Sequence, residues 1–172
     1  REWHVGLALA DYLGAKGLTD DYPARELLDA MLTEIAAEPV TDWQTLMQRL
    51  FSLGYGRGGV NQVGFQHSHL GWVLDTRNGI PITLALVILA AADSVGLDAR
   101  GINYPGHFLV AFGDEIIDPL ALSAVPNKQL EKHSDLLVTA DSRGFALRML
   151  NNVKALLLTA GDLATALDIV DV

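Results

Sequence analysis

Apolar residues change their spacing along this chain, and the change divides it into segments. From Ile82 to Ala92 the only polar side chain is Thr83. A helix over this stretch is apolar on all sides and belongs in the middle of the protein. Pro81 suits its first position, where a backbone N–H has no partner to lose. Gly96 is placed to stop it. Beyond Gly96 the period shortens. Arg100–Tyr104, His107–Phe112 and Glu115–Asp118 read as short strands, and Gly113-Asp114 as a hairpin turn. With that turn, Phe112 faces Glu115 and Leu109 faces Asp118. His107 shares a face with Leu109, so His107 and Asp118 lie diagonally across two strands, roughly 7–8 Å apart at the backbone. The expectation is an imidazole and a carboxylate on one face, beside the buried helix.

Helical spacing governs the rest. Glu2–Ala15 carries Val5, Leu9 and Leu13. Pro23–Ala37 carries Leu27, Leu28, Met31, Leu32 and Ile35. A third helix, opened by Thr41 and Gln44 as a capping box, carries Trp43, Leu46, Met47, Leu50 and Phe51. Ser68 is placed to cap a short helix, Leu70–Asp75, with His67 and His69 on the surface. After Pro119 the sequence is rich in turns to Pro126, and Asn127–His133 fits a short helix. Asp141 or Ser142 opens a helix with Leu147, Leu150, Val153 and Leu157 recurring. Asp162 opens another with Leu163, Ala166, Leu167 and Val170 inward, the two forming a hairpin around Gly161.

Composition narrows the functions open to such a protein. Its 172 residues suit one domain with at most a small appendage, and half are apolar. The net charge of −9 argues against a nucleic-acid partner. There is no cysteine, hence no disulfide, thiolate metal site or thiol nucleophile. No apolar run approaches the roughly 20 residues that span a bilayer, and no signal peptide is visible, so the expectation is a cytoplasmic protein without a membrane partner. The sequence opens at Arg1 and closes within a helical pattern, so further native residues are expected at both ends. Gly54-Tyr55-Gly56-Arg57-Gly58-Gly59 lacks the preceding strand and following Lys-Ser/Thr of a phosphate loop and reads as a turn. His67 and His69 lack a third ligand at metal spacing, so no metal or cofactor is expected.

The stretch Val73-Leu74-Asp75-Thr76-Arg77-Asn78-Gly79-Ile80-Pro81-Ile82-Thr83-Leu84, then Pro105-Gly106-His107-Phe108-Leu109, then Ile117-Asp118-Pro119, resembles the bacterial SirB-type family. The resemblance implies an α+β fold: a transglutaminase-like or papain-like core, with a buried central helix on a small antiparallel sheet, flanked by N- and C-terminal helices. It divides the protein into a transglutaminase-like domain at 1–140 and a helical hairpin at 141–172 resembling the start of a tetratricopeptide-like region. In active relatives a Cys opens the central helix in a Gly-x-Cys-x-x-x-Ala pattern, with His as acid–base and Asp orienting it. Here that pattern falls on Gly79-Ile80-Pro81-Ile82-Thr83-Leu84-Ala85. Pro81 stands in the Cys position, while His107 and Asp118 match the other two. Thr83 is the nearest hydroxyl, but two residues along a helix turn its side chain about 200° away.

Two readings follow. One is a non-catalytic binding or regulatory module with a protein or peptide partner, its binding site at Pro81, Thr83 and His107. The other is a hydrolase or transferase using His107 and Asp118, with Thr83 or a water as nucleophile. A plain helical scaffold leaves the His107–Asp118 pairing unexplained.

Overall fold

The structure, a computed structural model, describes residues 1–126, 128, 130 and 137–169. Three helices lead in: α1 (Trp3–Ala15), α2 (Ala24–Ala36) and α3 (Trp43–Ser52). A 3₁₀ turn (Phe65–Ser68) and α4 (Leu70–Thr76) precede the central helix α5 (Pro81–Ser94). Strands β1 (Arg100–Tyr104), β2 (His107–Phe112), β3 (Glu115–Asp118), β4 (Ser123–Ala124) and β5 (Val138–Ala140) follow, and α6 (Ser142–Ala160) and α7 (Leu163–Asp168) close the described residues. The five strands form one antiparallel sheet in the order β4-β3-β2-β1-β5. The expected α+β architecture is the observed one.

Every residue of α5 from Ile82 to Ala92 is buried. Helices α1, α2 and α3 pack on it from one side and β2 from the other. The approach of α1 is close: a Cβ on Gly6 would lie 2.9 Å from Leu86 Cδ1. Pleating sorts the sheet residues. Phe108, Val110, Phe112 and Ile117 join the core around α5, whereas Ile102, Leu109 and Ala111 form a second small cluster on the opposite face. On the α5 side Phe145 of α6 lies against Phe108, with ring centroids 4.6 Å apart. Gly101 makes room for it, since a Cβ there would come within 2.4 Å of Phe145 Cζ.

Hairpin register follows the sequence reading, with Phe112 opposite Glu115 and Gly113 at φ 59°. Strands β4 and β5 lie outside the sequence expectation. They are short and largely exposed, and they pair only with strands already formed, so no apolar alternation marks them.

Several local expectations are corrected. Asp42, not Thr41, caps α3: its Oδ1 accepts from the Thr45 N–H at 2.7 Å, and the Thr41 hydroxyl donates to its other oxygen. A carboxylate gains more than a hydroxyl at the positive end of a helix, and the helix starts one residue later to use it. Phe51 is 63% exposed, because the inward stripe of α3 is Leu46, Met47 and Leu50. On α6 the inward stripe is Phe145, Met149, Val153 and Leu157, and Leu147 points outward. On α7 only Ala166 is buried, while Leu163 and Leu167 are exposed. The capping of α6 by Asp141 and of α7 by Asp162 is as expected. The Asn127–His133 helix falls mainly outside the described residues, as does Val170.

Leu86 is fully buried at the α1–α5 contact. Leu86→Ala should cost about 2–5 kcal/mol in urea unfolding. A loss under about 1 kcal/mol would mean that α5 is not the centre of the fold.

Candidate functional site

Four segments meet at the start of α5. Ile80 is extended and Pro81 occupies the first helical position. The Thr83 side chain turns back: its Oγ1 accepts from the Ile80 N–H at 3.2 Å and lies 3.0 Å from the carbonyls of both His67 and Ile80. One hydroxyl hydrogen serves those two acceptors. Thr83 is completely buried, so its hydroxyl is committed to backbone and faces no open space.

The carbonyl of His67 belongs to the His67-Ser68-His69 segment. All three residues are buried, which corrects the surface placement expected of the histidines. The cap of α4 is not Ser68 but His69, whose Nδ1 accepts from the Trp72 N–H at 3.3 Å. His67 Nδ1 accepts from the Gly64 N–H at 2.9 Å and closes the 3₁₀ turn. An imidazole has one ring nitrogen to accept with when neutral and none when charged, so the His69 cap requires a neutral ring. His67 Nδ1 also lies 3.2 Å from the Gly64 carbonyl, and it accepts from the Gly64 N–H only when unprotonated at that nitrogen. Burial holds both residues below the ordinary histidine value, against the opposing pull of Asp21 and Asp11 on His69. Among the described residues no group of three or more His, Asp or Glu could hold a metal ion. The glycine-rich loop is likewise structural. Tyr55 is buried in it with its hydroxyl 3.7 Å from Met31 Sδ, Arg77 lies over its ring, and burial raises the phenol to about 12.

His107 and Asp118 do meet. The Nε2–H of His107 donates to Asp118 Oδ1 at 3.1 Å, and the Leu120 N–H donates to the same oxygen at 2.9 Å. Burial pushes the Asp118 carboxyl up, but the bond from His107 and that from the Leu120 N–H outweigh it and hold the group below its usual 3.8. With Nε2 donating, Nδ1 carries the free lone pair of the neutral ring. The pair shares the row of Leu109 and Ile116, on the sheet face away from α5, so the expectation that it sits beside the buried helix is corrected. His107 approaches α5 only at the end of β2. There Gly106, His107 and Phe108 border a cleft of about 340 Å³, whose walls also include Val63, Ile80, Pro81 and Ile82. Arg148, Asn152, Leu156 and Thr159 of α6 form the far wall. Asp118 and Thr83 do not line it. The Tyr104–His107 turn that sets this rim is made by Pro105 and Gly106, the latter at φ 73°, where a side chain would be strained.

The α6 wall is the part of the site that the sequence reading missed. Arg148 and Asn152 are one helical turn apart on an amphipathic helix, and nothing in their spacing marks them off from ordinary surface residues.

A family model described as the Transglutaminase-like superfamily matches residues 22–151, which include the cleft's rim, the His107–Asp118 pair and the first half of α6. The chain belongs to the transglutaminase-like superfamily. It is also 30% identical over 98 residues to proteins named UPF0162 protein from two strains of Xylella fastidiosa, Temecula1 and 9a5c. That match takes in 55% of this protein and 35% of theirs, so it spans about a third of the length of these curated relatives. No solved structure matches. Among the described residues no single helix is long and apolar enough to cross a membrane. Helices α4 and α5 together have the length, but they are bent by 79°.

Two outcomes test this anatomy. Thr83→Val keeps the shape and removes the acceptor for Ile80 N–H and the donor for His67, so it should cost about 1–3 kcal/mol in urea unfolding. Acid should also destabilise the fold through His67 and His69. Unfolded imidazoles take up a proton near 6.5, and the folded ones only at lower pH. The unfolded state then binds more protons, so their contribution is complete above 6.5 and is lost as pH falls below it. His69→Asn keeps a capping acceptor that does not titrate, and its urea midpoint should fall less steeply between pH 7.5 and about pH 5.

Proposed function

We propose that this protein is a non-catalytic transglutaminase-like domain that acts as a binding or regulatory module for a protein or peptide partner. The observation that carries the reading is Pro81. It lines the cleft at the first position of α5, where the superfamily's catalytic pattern has its cysteine. A proline supplies neither a nucleophile nor an N–H there. There is no cysteine elsewhere in the sequence, and the Thr83 hydroxyl is sequestered by backbone partners. A cleft that keeps its walls without its attacking group is suited to holding a partner segment rather than cleaving it. Within this reading the protein is SirB-type, α6 and α7 begin a tetratricopeptide-like region in a longer polypeptide, and the module works in the cytoplasm. The similarity of Val73–Leu84, Pro105–Leu109 and Ile117–Pro119 to that family supports this assignment.

A second reading has one specific observation in its favour: the His107–Asp118 hydrogen bond leaves Nδ1 with a free lone pair. A hydrolase or transferase could use it to activate a water.

Pro81→Cys separates the two. If the catalytic geometry persists, the new thiol lies at a helix N-terminus near His107, and its lowered pKa gives rapid labelling by iodoacetamide near neutral pH, slowed by His107→Ala. The non-catalytic reading expects labelling at the rate of an ordinary thiol, unchanged by His107→Ala. It further expects that the unmodified protein turns over no ester or amide. Turnover that is lost in His107→Ala would overturn it.

A further inference from the structure

The cleft has a charge character opposite to that of the protein as a whole. The sequence carries 21 acidic residues against 12 Lys and Arg, yet among the described residues lining the cleft there is no Asp or Glu, whereas Arg148 is one of them. Arg148 is half-buried, and its Nη1 donates to Asn103 Oδ1 at 2.9 Å. That partner is a neutral amide. Among the described residues no carboxylate pairs with Arg148; the Lys and Arg side chains that do pair with one are Arg1, Lys16 and Arg49. The bond to Asn103 uses one of the five N–H donors of a guanidinium and fixes its position, leaving the others for a ligand. Along the same wall Asn152 and Thr159 add hydrogen-bonding groups further along α6. The opposite wall, Ile80, Pro81, Ile82 and Val63, is apolar.

We infer that the cleft takes a peptide carboxylate, with Arg148 as its charge partner and the apolar wall receiving the side chain next to it. This deepens, and rests on, the binding-module reading above. A guanidinium held by a neutral neighbour is preorganised for a carboxylate, because its orientation is already fixed before the ligand arrives. The net negative charge of the protein disfavours anions over the surface as a whole, and Arg148 offsets that charge locally in the cleft. The carboxylate comes either from the C-terminus of a peptide or from a Glu or Asp side group, and the two differ in what else the peptide must carry.

Three peptides distinguish these sources: acetyl-Ala-Leu-Ala-Leu with a free C-terminal carboxylate, the same peptide amidated, and amidated acetyl-Ala-Leu-Glu-Leu. Each is titrated into the whole protein to about 10 mM, where a ligand with a Kd near 1 mM still reports, and backbone amide shifts locate the contact. At least one carboxylate peptide should bind about tenfold more tightly than the neutral amide, with shifts at Ile82, Phe108 and Asn152. The tighter one names the source. Arg148→Gln keeps a donor for Asn103 and removes the charge, and should erase the preference. Ala155→Glu puts a carboxylate at an exposed position in the cleft without touching the core, and should erase it too. Leu147→Glu, an equal charge on an exposed α6 position outside the cleft, should leave it intact. Equal affinity for all three peptides at the cleft would overturn the carboxylate inference and leave the binding-module reading standing. Absence of any shift at the cleft would overturn both. Turnover of a peptide by the unmodified protein, lost in His107→Ala, would overturn the non-catalytic reading alone.

Discussion

A helix with no polar side has to be enclosed in every direction, and α5 imposes that requirement on everything else. Its residues from Ile82 to Ala92 are all buried. Burial of this kind stabilises by roughly 1.5–3 kcal/mol for each large aliphatic side chain, so no arrangement that leaves one face of α5 in water competes. The N-terminal helices cover one side and the α5-facing row of the sheet covers the other. Helix α6 completes the enclosure by laying Phe145 across Phe108 and the bare backbone of Gly101. The C-terminal helices therefore belong to the same core as the rest: Phe145, Met149, Val153 and Leu157 lie in one cluster with Leu86 and Leu89.

Enclosing α5 creates a second problem at its first turn, where backbone N–H groups lack helical partners and Thr83 is buried. Thr83 and the buried His67-Ser68-His69 segment answer part of it. The Thr83 hydroxyl takes the Ile80 N–H and returns its own hydrogen to backbone carbonyls, including that of His67. His67 and His69 in turn cap their own short elements through Nδ1. The polar groups that look most reactive in this part of the sequence are thus absorbed in satisfying buried backbone, a use that follows from burial and excludes them from chemistry at the cleft. Among the described residues Ser68 Oγ has no hydrogen-bond partner in its buried position.

The proposed function rests on what is left at the surface of this arrangement. His107 and Asp118 are bonded to each other on the face of the sheet away from α5, and the cleft is reached from them only around the end of β2. Pro81 gives the cleft a rigid, unreactive floor, and α6 gives it a cation and hydrogen-bonding groups. Walls of this kind suit the proposed selection of a segment by charge and shape. In the proposed binding role, Arg148 orients a charge and the apolar wall limits what lies beside it.

Much of this was legible in the residues taken in order. The apolar run of α5, its Pro81 start, the shift to strand spacing after Gly96 and the Gly113 turn each depend on near neighbours, and near neighbours determine helix starts, periodicity and hairpin register. Those features were enough to put His107 and Asp118 in one row; that Pro81 stands where active relatives have a cysteine is what the family resemblance implies. The side of the sheet on which that row lies was not legible in this way, because period two says which residues share a face but not which face meets the helix. Nor could the sequence place His67 and His69 inside, Phe51 and Leu167 outside, or Arg148 in the cleft. Each of those outcomes is set by what packs against the residue from a distant part of the polypeptide, and only the tertiary structure brings those parts together.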